Sequence, residues 1–135
     1  MGTERRERGV AAYASQFGVS EDEVERLFLE RFGRRFAEEA FHAAGDAWRD
    51  DALSLRDRSL LVLAVLAAQG GVESRLRTHV RWALEHGATA AELDALASLL
   101  AVYAGFPRAS VALEAFREEL RLAGVDPNPP KDAEG

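Results

Sequence analysis

The chemistry-bearing residues of this chain gather on one short stretch. Arg75 and His79 stand four residues apart, and Trp82 follows three later, inside ESRLRTHVRWALEHG. On a helix, residues four apart share a face, so a guanidinium, an imidazole and an indole line one rim. A group of that kind can bind an anion and move a proton. The apolar stripe of the same helix is Val72, Leu76, Val80 and Ala83. His79 lies about 60° from Leu76, at the edge of that stripe. The spacing is equally compatible with a boundary histidine bonded to a neighbouring helix, with Arg75 paired to Glu73 or to solvent. The other two histidines are His42 and His86. With His79 they show no metal-ligand spacing, so no metal is expected. His86 closes its helix, where a partly charged imidazole would complement the dipole, and reads as structural. His42 follows Phe41 on a mostly apolar helix and is compatible with core, surface or interface. No GxSxG, P-loop or GxGxxG occurs, which removes esterase, nucleotide-hydrolase and dinucleotide readings.

The elements that must position these groups are all helical, and no run alternates as a strand would. A first helix covers about Glu4 to Gln16 and closes at Gly18. Ser20-Glu21-Asp22-Glu23 is a capping box opening a second helix that ends near Trp48, with Gly33 as a break or kink. Ser54-Leu55-Arg56-Asp57 opens a third, whose centre LLVLAVLAA is apolar all round and should be covered on several sides. The fourth runs from about Val72 to His86 and stops at Gly87. Thr89-Ala90-Ala91-Glu92 caps the fifth, with Leu93, Leu96, Leu99, Leu100 and Tyr103 expected on its buried side. Gly105-Phe106-Pro107 breaks the chain before a sixth, which ends at Gly124. The expectation is an all-α, single-domain bundle of about six helices over residues 1–124, followed by a flexible polar tail over 125–135.

Composition narrows the function further. The 135 residues carry a net charge of -6, which disfavours nucleic acid and anionic membranes as partners. There is no cysteine, so disulfides, thiolate metal sites and thiol redox chemistry are excluded. The apolar run Leu60 to Ala68 is far short of the roughly 20 residues of a membrane span. The charged start, MGTERRERG, has no apolar core of a secretory signal. A cytoplasmic protein is expected.

The combination R-S-L-L…H-V-x-x-A-L-x-x-G-x-T-x-x-E-L…Y-A-G-F-P, spread over residues 53–122, resembles the carboxymuconolactone decarboxylase family, which also holds the alkylhydroperoxidase D type of enzyme. The resemblance implies an alkylhydroperoxidase D-like fold. The peroxidase branch uses Cys-x-x-Cys-x-x-x-His with an upstream Glu after an Arg. Here those cysteine positions fall on Val72 and Arg75, and the acid position on Ser59 after Arg58, so only His79 remains. The thiol mechanism is therefore absent, although a peroxidase-like label would follow from the fold alone. The decarboxylase branch dispenses with the cysteines and keeps the histidine. Its usual Arg-Pro-Gly after the Trp is missing from the turn at Trp48. The resemblance implies cofactor-independent decarboxylation of a small carboxylated lactone, with His79 as acid/base. Arg75 and Arg58 would bind the anionic substrate or support the enolate, and Ser59 and Trp48 would line the pocket. It also implies self-association as a homo-trimer or hexamer. The alternatives are a divergent member that binds a small ligand, or a structural oligomer.

Overall fold

A computed structural model of the chain describes residues 2–128. The described elements are seven helices: α1 (Gly2–Phe17), α2 (Glu21–Phe32), α3 (Arg34–Arg49), α4 (Leu55–Gln69), α5 (Glu73–Glu85), α6 (Ala90–Ala104) and α7 (Phe106–Leu122). The count is seven, where the sequence pattern suggested about six, because Gly33 is a full break. Its φ of 81° is open to glycine and strained for other residues. Its N–H closes α2 on the Leu29 carbonyl, and α3 restarts at the next residue. The three capping hydroxyls read from the sequence act as such: Ser20, Ser54 and Thr89 accept from the backbone N–H of Glu23, Asp57 and Glu92. At Thr89 the box is reciprocal, since Glu92 also accepts the Thr89 N–H. No described helix is long and apolar enough to cross a membrane. Of the expected polar tail, residues up to Asn128 are described and held in part by Arg117, which donates to the Pro127 carbonyl and the Asn128 side chain. The remainder, 129–135, lies outside the described residues.

The chain divides into two compact units, Met1–Ala52 and Leu53–Gly135. The first is built on aromatic packing. Val10, Ala14, Val24, Phe28, Ala37 and Phe41 are buried together, with Tyr13 and Phe17 against them. The Phe28 ring lies 4.7 Å from Tyr13 and 5.1 Å from Phe41. Helices α1 and α3 meet through glycine. A Cβ on Gly9 would run into the Phe41 carbonyl, and one on Gly45 would sit 2.9 Å from the Gly9 nitrogen. Ion pairs tie the same helices from outside: Arg6 donates to Glu38 and Glu25, and Arg8 to Asp46. His42, left open by the sequence, bonds the Glu38 carbonyl through Nδ1 at 2.6 Å. A carbonyl only accepts, so Nδ1 carries the hydrogen, and the imidazole serves its own helix.

The second unit packs α4 against α5, α6 and α7 around Leu63, Leu76, Val80, Leu93, Phe116 and Leu120. Helices α6 and α7 meet through small residues, Ala97 and Ala101 on one and Ala109, Ala112 and Ala115 on the other. This reverses part of the sequence reading. The expected buried side of α6 included Leu99 and Tyr103, yet both are exposed, Tyr103 at 84%. The all-apolar α4 likewise keeps Leu61 and Val65 exposed. A helix apolar on every side has no amphipathic phase to say which side is core. The choice fell to the alanines, which let backbones approach closely.

Candidate functional site

The site candidates of the second unit are carried by the start of α4 and one face of α5. Ser54 caps α4 through the Asp57 N–H at 3.1 Å, and Arg58 Nε donates to the Leu53 carbonyl at 3.0 Å. This pins the first turn of α4. Ser59 then falls on the buried stripe shared with Leu63 and Ala67 and is only 5% exposed. A hydroxyl so buried needs a partner. It finds one 27 positions along the chain, since Ser59 Oγ lies 2.7 Å from His86 Nδ1. His86 is the C-cap of α5, its own N–H bonded to the Trp82 carbonyl at 2.9 Å. Burial lowers the His86 pKa from its ordinary value. The Arg58 guanidinium acts in the same direction, and the Glu85 carboxylate opposes it. The sequence suggested a partly charged imidazole serving the helix dipole; desolvation and a neighbouring cation shift it toward the neutral ring.

Two turns earlier on α5, His79 is half-buried. Its ring stands edge-on to Trp82, with centroids 4.7 Å apart and planes at 77°. Burial is the main cause of a lowered pKa, and the Arg75 charge adds to it. Arg75 is exposed. Of the expected Arg75–His79–Trp82 rim, His79 and Trp82 are in ring contact and the Arg75 charge acts on His79. Trp48 is carried by the first unit, near the end of α3, and is half-buried there. Among the described residues, no three His, Asp or Glu side chains converge to hold a metal ion. Two open clefts are lined by other residues. One of about 450 Å³ lies along α5 and α7, between Arg77, Arg117 and Arg121. The other, about 330 Å³, is an apolar cleft of α6 and α7 that includes Ala97, Ala101, Phe106 and Leu113.

Taken chemically, α5 presents two imidazoles biased toward the neutral form, each influenced by an arginine. Such groups can donate or accept a proton near neutrality and can bind an anion, without metal or thiol. Sequence reasoning missed the Ser59–His86 pair. The available signal was the register of Ser59 with Leu63 and Ala67, which demanded a buried partner but did not name it.

The profile of the Carboxymuconolactone decarboxylase family matches residues 34–118, from the start of α3 into α7. A 4-carboxymuconolactone decarboxylase of Acinetobacter baylyi (strain ATCC 33305 / BD413 / ADP1) is 35% identical over 85 residues, covering 63% of each chain. The chain thus spans a little under two thirds of that relative's length. No solved structure matches.

Proposed function

Because this chain belongs to the carboxymuconolactone decarboxylase family, we propose that it decarboxylates a small carboxylated lactone without a cofactor. The observation that carries the reading is His79, half-buried beside Trp82 and under the charge of Arg75. In the reaction, the bond between the lactone carbon and its carboxylate breaks. The electron pair moves into the unsaturated lactone toward its carbonyl oxygen, and CO2 leaves. His79, neutral at rest, takes a proton from solvent, delivers it to carbon and returns to the neutral form, so one proton is consumed per CO2 released. Arg75 binds a substrate carboxylate, for which a planar guanidinium is suited. Arg58 supports the enolate, and Ser59 belongs to the pocket wall. Thiol peroxidase chemistry has no place in this reading, since the chain has no cysteine.

The test is CO2 release from 4-carboxymuconolactone by the purified protein. His79→Gln is expected to lower kcat by about 10²–10⁴-fold. Absence of turnover by the unaltered protein at any pH would remove this substrate. Turnover of a hydroperoxide would overturn the exclusion of peroxidase chemistry.

The reading includes self-association as a trimer or hexamer. It is supported by exposed Leu61, Val65, Leu99, Val102, Tyr103 and Phe106 in the second unit, large apolar side chains that association would cover. Light scattering is expected to give a multiple of the 14.8 kDa chain mass; a strict monomer would count against it.

A further inference from the structure

Ser59 and His86 are built into the second unit with more care than a pocket wall requires. Along α5, Arg75, His79, Trp82 and His86 recur at steps of four, three and four, within about 60° of one another at the helical repeat. His86, the C-cap of α5, follows His79 by seven positions, about two turns at the helical repeat. It is tied to α4 by a buried hydroxyl, that of Ser59. Ser59 has a single hydrogen to give. Among the described residues its hydrogen-bond partner is His86 Nδ1. If Ser59 donates there, the imidazole carries its own hydrogen on Nε2, the atom pointing away from α4's serine. Ser59 itself is a poor nucleophile, because an acyl-transfer hydroxyl must be open to substrate and this one is almost wholly enclosed.

We propose that His86 is a second catalytic imidazole of the reaction, fixed by Ser59 as the Nε2–H tautomer, whose N–H donates to the lactone carbonyl oxygen as enolate charge builds there. This rests on the lactone reading above. The charged groups acting on His86 are Arg58 from α4 and Glu85 from α5 itself. Arg58 and burial keep the ring neutral, which is the form that donates a hydrogen bond without first being a strong acid. The labour then divides. His86 stabilises the oxyanion, His79 returns the proton to carbon, and Ser59 is a positioning residue acting through His86.

The experiment combines kinetics with ¹⁵N spectra of the histidine-labelled full chain, which has only His42, His79 and His86 to assign. His86→Ala is expected to lower kcat on 4-carboxymuconolactone by about 10²-fold, the effect of removing one oxyanion donor. His86→Gln, which restores an N–H near the Nε2 position, should recover part of that loss. Ser59→Ala should let the Nδ1–H tautomer appear in the spectrum and lower kcat with little change in KM. A His86→Ala enzyme within twofold of the unaltered kcat, or a His86 resonance showing Nδ1–H in the unaltered protein, overturns the proposal. If the unaltered protein does not decarboxylate the lactone, glutarate is the probe. A shift of the His86 Nε2 signal on adding glutarate, lost in Ser59→Ala, keeps the His86 site and discards only the substrate. No shift discards both.

Discussion

The two units of this chain differ in how their helices meet and in what surrounds their imidazoles. In the first, α1 to α3 enclose an aromatic cluster, and the ionisable groups around it are spent on one another. Arg6 hydrogen bonds hold the Glu38 carboxyl below its usual range, and Arg8 does the same to Asp46. In the second, helices meet through alanines, leucines and a tyrosine face outward, and two imidazoles are held toward their neutral form. A group paired with its opposite charge is chemically quiet. An imidazole desolvated beside an arginine is poised to exchange a proton. The comparison assigns structure to the first unit and chemistry to the second, and each assignment can be broken.

The hardest test is Phe41→Ala. Phe41 is fully buried, its backbone carbonyl lies against Gly9 of α1, and its ring lies 5.1 Å from that of Phe28. Its loss should cost about 3–5 kcal/mol, as for a large aromatic removed from a core. Hydrogen exchange should show the loss in α1–α3, with protection in α4–α7 retained. Equal loosening of α4–α7 would mean that the two cores are not separate.

A smaller loss is expected at the other end of the comparison. Thr89→Ala removes the hydroxyl of the reciprocal capping box on α6 and should cost about 1 kcal/mol. Because α6 relies on small-residue contacts with α7, its first turn should exchange faster than the rest of the unit. Chemical denaturation with residue-resolved exchange checks both; a loss well under half that size would show that packing, not the cap, holds the start of α6.

What the sequence disclosed follows from the range of each interaction. Ser20, Ser54 and Thr89 act on backbone groups three residues away, so their helix starts could be read directly. Gly33 was visible as a breaker, but whether a glycine kinks or ends a helix depends on the φ it adopts. The rim of Arg75, His79 and Trp82 was accessible because all three ride one helix. Ser59 and His86 were not paired by any local rule, since 27 positions separate them and only the packing of α4 on α5 brings them together. Leu99 and Tyr103 were misplaced for a different reason. The fifth predicted helix is rich in both leucine and alanine, and apolar periodicity could not tell that Ala97 and Ala101, rather than Leu99 and Tyr103, would face inward beside Leu93.

The last test changes no residue and reads both units in one acid titration. A carboxyl whose folded pKa is depressed contributes stability that is present above its unfolded value and is lost as pH falls through the folded one. For Glu38 and Asp46 that loss begins only below the ordinary values of 4.5 and 3.8. A histidine with a lowered folded pKa is also lost from the acid side, because the unfolded chain takes up the proton first. For His79 and His86 the loss begins at the ordinary 6.5. Acidification from neutrality should therefore weaken α4–α7 before α1–α3, although both units respond in the same direction. A double variant, His79→Gln with His86→Gln, should flatten the upper step and leave the lower one in place. Residue-resolved exchange across the titration separates the two. If α1–α3 loosened first, or if the upper step survived in the double variant, the imidazoles would not be the desolvated pair that sets the second unit apart.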